Sequence, residues 1–555
     1  MSISLQFTGA LLIMCGLAVS CVPISAETRK PTIFYVSAQG NDTNDGKSPR
    51  KAWRTIDHMN KMQLCPGDSI LFKGGESFTG NLLITDSGTA TAFITIGSYG
   101  KGAATILGGD AYAIRLRNCQ YINVRDLILL GSGVKPNGDT TNTAQGLDIF
   151  SDVTEGKPWQ SIHVDKLTVS GFRDGIVLHT PIGTQKVVGY NDVRVTNCTI
   201  KECLFGGFYC WGAEKTSGAP WQFPVGATLF TNCYLGGCTI YNIYGDPVGE
   251  PLLCFPVAII NATSFLIERN TIHHCGQAQS TQASQGGVAG VGFVECAKLV
   301  CQFNECHHIV SKLRYDGCAF DIDGGCTDCK LQYNYSHDND GAGFQTGTFV
   351  GSGPTTGVTI RYNISENDAK KNPDHSGGIM TWGSITGDIY QNTVFISTGT
   401  DGKPAAFLGM GSGVSVRNNI FMVNHDGDIM NVFNAGYTFQ NNGYYRTAGD
   451  FRIRYADAEY ANLSAWQKAT GQEMLNGATV GIYADPQFRA PGDAGNIDDA
   501  NKLSTLTAYD LIPTSPLAGK GLNLHKVFDV APGPCDFHGA SLHIGDTCNL
   551  GAVER

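Results

Sequence analysis

From about residue 190 a short phrase recurs along this chain: an apolar residue three positions before an asparagine, with β-branched or aromatic residues around it. Ile267-Glu268-Arg269-Asn270, Leu331-Gln332-Tyr333-Asn334, Ile389-Tyr390-Gln391-Asn392 and Val416-Arg417-Asn418-Asn419 are examples. The asparagines are Asn232, Asn270, Asn304, Asn334, Asn363, Asn392, Asn419 and Asn442, with Asn197 as a slightly shifted earlier member. Their separations range from 38 down to 23 residues. Such a variable period suits strands joined by loops of unequal length, whereas helical repeats hold their period more tightly. A solenoid also absorbs 555 residues without several domains, because it grows by adding units. The repeat predicts an all-β chain, a single parallel β-helix continuous over about residues 145–445.

Asparagine suits the turns of such coils because it tolerates the left-handed conformation and its amide can bond the asparagine above and below. Coils stack about 4.8 Å apart, a spacing that favours an asparagine ladder. Asn197, Asn334 and Asn363 also stand in glycosylation sequons, but a ladder position lies inside the turn, so structure is the preferred reading there. Equal offsets from the asparagines suggest that Cys198 stacks with Cys233, Cys203 with Cys238, and Cys296 with Cys326. These columns read as buried thiols or as cross-coil disulfides. The 19 cysteines show no zinc-binding pattern, and Cys535 with Cys548 is the best disulfide candidate.

The flanks add a resemblance. Tyr35-Val36-Ser37-Ala38-Gln39-Gly40-Asn41-Asp42, Gly46, Trp53-Arg54-Thr55-Ile56 and Pro66-Gly67-Asp68-Ser69-Ile70 resemble the opening of secreted right-handed β-helix polysaccharide-active proteins. Asp485-Pro486-Gln487-Phe488, Ser515-Pro516-Leu517, Asp536-Phe537-His538-Gly539 and Gly551-Ala552-Val553-Glu554 resemble their C-terminal segment. The resemblance implies a right-handed helix whose first coil is plugged by a short helix, here about 53–62. It leaves the reaction open, because hydrolases, lyases and epimerases share the scaffold. The expected divisions are a signal peptide at 1–26, an N-terminal cap and first coils at 27–110, the β-helix with its groove at 111–446, and a C-terminal capping segment at 447–555.

Between the asparagine turns a second set of strands recurs, usually introduced by glycine. Alternation sends Phe320 and Ile322 inward and Asp321 and Asp323 outward. Asp148, His179, Tyr209, Trp211, Glu295 and Gln345 are expected to share that outer face, aligned along a groove. Sugar rings stack on aromatic faces, and glycosidic cleavage uses two carboxyl groups across the bond. Asp321 and Asp323, with Cα atoms roughly 6.5 to 7 Å apart on a strand, form the candidate catalytic pair. Crowding of like charges should raise at least one pKa and keep a carboxyl protonated as general acid. Glu295, one coil earlier, is a candidate second carboxylate. Tyr209, Trp211 and Trp382 are candidate sugar platforms, with Gln345 and His179 as further contacts. Asp316 and Asp340, each before a glycine, read first as turn residues, yet Asp316 and His375 are expected on the rim beside Asp321, where His375 can assist proton transfer.

Lys312 and Arg314 keep open a polysaccharide lyase or epimerase, since uronate chemistry needs a cation to neutralise the carboxylate and a base to remove the C5 proton. A noncatalytic carbohydrate-binding adhesin is the third reading, although a binder has no use for two crowded carboxylates. No cofactor is expected; calcium is the one cation that Asp338-Asn339-Asp340-Gly341 or Asn41-Asp42-Thr43-Asn44-Asp45-Gly46 could bind, and neither has a full ligand set. The net charge of −10 offers no basic footprint for nucleic acid. The apolar run 11–19 is too short to span a bilayer and resembles a signal-peptide core. Ile24-Ser25-Ala26 is a cleavage candidate, and Ala18-Val19-Ser20-Cys21 an imperfect lipobox. The protein is thus expected to be secreted, or lipid-anchored through Cys21, with no integral membrane segment after cleavage, and to act as a monomer on a polysaccharide or oligosaccharide.

Overall fold

The computed structural model describes residues 29–181, 187–212, 228–247, 254–278, 287–313, 315–542, 545 and 547–554. The expected leader, Cys21 and Arg314 lie outside them. The chain winds as a parallel β-helix with three faces. Two faces form one 28-stranded sheet, because Gly377–Tyr390 and Ala405–Arg417 each run unbroken around the corner between them; the third is a 14-stranded sheet. Parallel pairing begins at Ile33–Val36 against Ser69–Lys73 and continues to Gly443–Arg446 against Ile482–Tyr483. Coils therefore start well before residue 145. Among the described residues no helix is long and apolar enough to cross a membrane.

Strand alternation fills the interior. Phe208, Val257, Val291, Phe320, Phe344, Ile379 and Phe407 follow one another in register on one face, all fully buried. Stacking like on like buries each ring against its neighbour, as with Phe320 and Phe344 at 5.3 Å and 5°.

The corner between the second and third faces carries the ladder. The Oδ1 of Asn304 accepts from the backbone and side-chain amides of Asn270 at 2.9 and 3.0 Å. The same double contact runs from Asn304 to Asn334, Asn363, Asn392, Asn419 and Asn442. Glu473 ends it, accepting from Asn442 Nδ2 at 2.8 Å and from the Tyr444 hydroxyl at 2.6 Å. Burial raises the Glu473 carboxyl to about 7 against these donors.

The ladder corrects three expectations. Asn197 and Asn232 do not belong to it: Asn197 donates to Asp165 and the exposed Asn232 to Asn191. The left-handed residues are those before the ladder asparagines, namely Arg269, Phe303, Tyr333, Tyr362, Gln391, Asn418 and Asn441, so asparagine is required for its amide and not for its φ. Upstream of Asn270 thiols take over the acceptor role, Cys238 Sγ receiving Cys198 N–H and Cys198 Sγ receiving Leu167 N–H, both at 3.4 Å. Cys198 therefore stacks with Cys238, while Cys233 faces the Val193 level and Cys203 pairs with Ile243. The offset that aligned Cys296 with Cys326 holds, through the Ala297–Thr327 bridge. All described cysteines are free thiols, Cys535 and Cys548 included.

The N-terminal plug is smaller than expected, one turn at Ile56–Met59 capped by Thr55 and burying Ile56 and Met59. At the other end Leu463–Thr470 closes the last coil, with Trp466 fully buried against Phe439, Tyr444 and Tyr455. The remaining residues do more than cap. They run back along the stack, packing Leu503, Leu506 and Tyr509 on Tyr335, Ile364 and Phe395, and Leu524 on Tyr333, Tyr362 and Tyr390.

Candidate active site

Six consecutive strands on the first face build the site: β1 (Phe255–Ile260), β2 (Ala289–Val294), β3 (Cys318–Ile322), β4 (Phe344–Thr346), β5 (Gly377–Tyr390) and β6 (Ala405–Arg417). Their register defines two outward columns. Ala258, Gly292, Asp321, Gln345, Met380 and Leu408 form one. In the other, Ile260 and Val294 precede the level of Asp323, and Trp382 and Met410 follow. Glycine at 292 leaves room beside Asp321, since a Cβ there meets nothing closer than 3.6 Å. Gly347 does the same beside Asp323, and the Trp382 indole fills that space: a Cβ at Gly347 would fall 2.0 Å from it.

The result is a pocket of about 610 Å³, with Asp316, Asp321, Asp323, Gln345, His375 and Trp382 among its walls and an apolar side from Phe255, Met380 and Met410. Five of these polar residues and Trp382 were anticipated from sequence; Phe349, Val350 and the two methionines were not. The Met and Gly positions become visible only once register places them beside Asp321.

The three aspartates differ in environment. Asp321 is 6% exposed on the pocket floor; Gln345 Nε2 donates to its Oδ2 at 3.3 Å, and its Oδ1 is buried without a hydrogen bond. Burial, then Asp323 and Asp316, hold its carboxyl far above the usual range. Asp323 is half-buried and accepts the Gly324 N–H at 2.8 Å. Burial, reinforced by Asp316, raises it to about 7. Asp316 sits in a left-handed turn (φ 58°) that delivers its carboxylate to the Gly287 N–H. Burial raises it as well, opposed by that amide and by Gln345. His375 approaches from the rim, its ring edge-on to exposed Tyr315 at 5.8 Å.

The other candidates lie elsewhere. Glu295 is not on the outer face; it occupies a left-handed turn (φ 50°) after β2, and its Oε1 accepts the Gly353 N–H at 2.7 Å, fastening the 347–355 loop. Asp340 is bound by the Ser311 N–H and the Lys371 ammonium, and Asp338 by His337 and Lys370. Asp42 bonds the Arg54 and Thr55 amides. Asp338, Asp340 and Asp42, three of the carboxylates proposed for calcium, thus accept from the protein's own donors. Tyr209 shares Asp321's column and Trp211 stacks on it at 5.6 Å, but three coils separate Tyr209 from Asp321, roughly 14 Å. His179 is farther along the same face, held by buried Asp148, which also pairs with Arg115. Lys312 is exposed and not among the pocket walls.

No protein-family model matches the chain. A curated lacto-N-biosidase of Bifidobacterium longum subsp. longum is 23% identical over 564 aligned positions, which cover 81% of this chain and 32% of the relative. The chain thus spans about a third of the length of that relative. Among solved structures, the GH136 lacto-N-biosidase of Eubacterium ramulus aligns with 19% identity and a TM-score of 0.49, over 77% of this chain and 65% of that one. A complex of XylC with xylose aligns over 94% and 98% of the two chains, with 9% identity and a TM-score of 0.51. That likeness is one of fold.

Proposed function

We propose that the protein is a glycoside hydrolase that cleaves an oligosaccharide or polysaccharide in the β1–β6 pocket. The observation that carries the reading is the set of three carboxyl groups in one partly apolar pocket whose described walls include no lysine or arginine. Hydrolysis needs a protonated carboxyl and an ionised one on either side of the bond. Asp323, raised to about 7 and open to the pocket, suits the general acid. Asp316, which accepts a backbone amide, suits the ionised partner that activates water or attacks the anomeric carbon. Asp321 is the third carboxyl, kept neutral on the floor, where it orients Gln345. Trp382 supplies a sugar platform and His375 a rim contact. A cation-assisted lyase has weaker support, since Lys312 is not among the pocket walls.

The 23% identical relative is a lacto-N-biosidase, so glycans carrying a terminal lacto-N-biosyl unit are the first substrates to try. Export, suggested by the leader, fits an extracellular glycan. The test is a glycan screen with product analysis of the wild type and of the Asp316→Asn, Asp321→Asn and Asp323→Asn variants. Saturated reducing sugars, lost in Asp316→Asn and Asp323→Asn, are expected. An unsaturated, ultraviolet-absorbing product, or binding without turnover, would replace this reading with the lyase or the adhesin.

A further inference from the structure

The third face carries a column of imidazoles that the proposed hydrolysis does not use. His273, His307 and His337 are in register on successive coils and stack at 5.1 and 4.6 Å, while His274 stacks on His308 at 4.7 Å. Glu305 lies two residues before His307 on the same strand, hence on the same face. Glu305, His307 and His337 are all fully buried, because the C-terminal segment crosses over them. Ile497 N–H donates to Glu305 Oε1 at 2.7 Å, and Ala500 N–H to Thr271 Oγ1 at 3.3 Å.

Two polar atoms in this enclosure have no hydrogen-bond partner, Glu305 Oε2 and His307 Nε2. Leaving each orphaned costs about 1 to 3 kcal/mol, so the cluster is not complete as a hydrogen-bond network. One potential ligand atom from each of Glu305, His307 and His337 lies within 4.8 Å of the others. His337 Nε2 is 3.3 Å from Glu305 Oε1, and His307 Nε2 is 3.5 Å from Asp498 Oδ1. These two separations are near the edge of a tetrahedron with metal–ligand bonds near 2.05 Å, about 3.3 Å. Asp498 stands outside the group of three whose ligand atoms lie within 4.8 Å of one another, and the His307 and His337 rings, stacked 12° from parallel, have to turn for both lone pairs to meet one ion. The rear nitrogens are oriented as metal-bound imidazoles usually are: His337 Nδ1 meets Asp338 Oδ2 at 3.0 Å, and His307 Nδ1 meets His308 Nδ1 at 2.8 Å.

We propose that Glu305, His307 and His337, with Asp498 as fourth ligand, form a tetrahedral zinc-type site that clamps the C-terminal segment onto the third face of the coils. Two imidazoles and two carboxylates select Zn²⁺ over Ca²⁺ or Mg²⁺, which take oxygen ligands. Three ligands belong to the stacked strands and the fourth to the segment that overlies them. Binding would therefore tie a distant part of the chain to the stack.

The test uses the full-length protein with any affinity tag removed, stripped with chelator and titrated with ZnCl₂. One equivalent of Zn²⁺ is expected to bind, to raise the melting temperature by about 5 °C or more at saturating metal, and to slow proteolysis after residue 471; Ca²⁺ and Mg²⁺ should do none of these. His307→Gln and His337→Gln should lose uptake. Asp498→Asn alters a residue 63% exposed; it should bind at least about 10-fold more weakly, as expected for loss of one ligand, while its metal-free form melts like the wild type. Absence of Zn²⁺ uptake by the wild type would overturn the site, as would uptake that survives His337→Gln but fails in a His274→Ala, His308→Ala variant. Uptake with no protection of the C-terminal segment would overturn the clamp.

Discussion

The asparagine corner and the carboxylate groove are made by the same coils and obey opposite rules. At the corner each coil repeats one residue from Asn270 to Asn442, and from Asn304 onward each Oδ1 takes two amide donors from the coil before. On the groove face successive coils contribute Gly292, Asp321, Gln345, Met380 and Leu408, and Asp321 Oδ1 and Trp382 Nε1 are left buried and unbonded. An amide is both donor and acceptor and can stack on itself, whereas carboxylates at a 4.8 Å spacing repel. Asp321 is accordingly flanked by glycine and by an amide. Repetition marks where this protein is held together, and interruption marks where it is equipped to act.

The largest contrast should come from exchanging the carboxyls. Asp323→Asn and Asp316→Asn should each lower kcat/KM by about 10²-fold or more with the unfolding transition little changed. Wild-type activity should decline as pH rises through about 7, where Asp323 loses the proton it donates. Rate–pH profiles and denaturant melts check both statements.

Next in size is the end of the ladder. Glu473 is raised to about 7 in the fold, so between its unfolded value and 7 the native state holds a proton that the unfolded chain has released. Stability from this group is therefore present at low pH and is lost as pH rises toward 7. Relative to Glu473→Gln, the wild type should lose up to about 3 kcal/mol between pH 5 and pH 8, read from urea melts of the two proteins.

Within the ladder, Asn334→Ala orphans the Asn304 backbone N–H and takes one acceptor from its Nδ2 and should cost about 1 to 3 kcal/mol, with activity per folded molecule retained. A wild-type denaturation midpoint would break the distinction between corner and groove. The smallest effect belongs to Asn232, which carries the same sequence phrase but is exposed and outside the ladder. Asn232→Gly, compatible with its φ of 53°, should change stability by less than about 0.5 kcal/mol.

Asn232 and Asn334 also show how far the sequence could be read. Both sit three residues after an apolar one, but coil length between 197 and 270 changes the register, so the shared phrase lands on a surface turn in one case and in the core in the other. The same shift placed Cys238, not Cys233, over Cys198. Alternation within a strand was legible, hence the outward Asp321 and Asp323 and the inward Phe320 and Ile322. Glu295 escaped that rule because its strand ends at Val294, and a turn, unlike a strand, imposes no alternation.

The sequence by itself determined the coil architecture, the identity of most ladder residues and the outward parity of the carboxyls, because these follow from local periodicity that every coil restates. Only the tertiary structure decided which coils stand next to each other in register, how deeply each aspartate is buried, and that residues near 498 return to cover Glu305, His307 and His337. Those depend on loop lengths and on contacts between residues up to 229 positions apart. Such contacts leave no period in the chain, and the shifts that distinguish Asp316, Asp321 and Asp323 arise from desolvation that exists only once the coils have stacked.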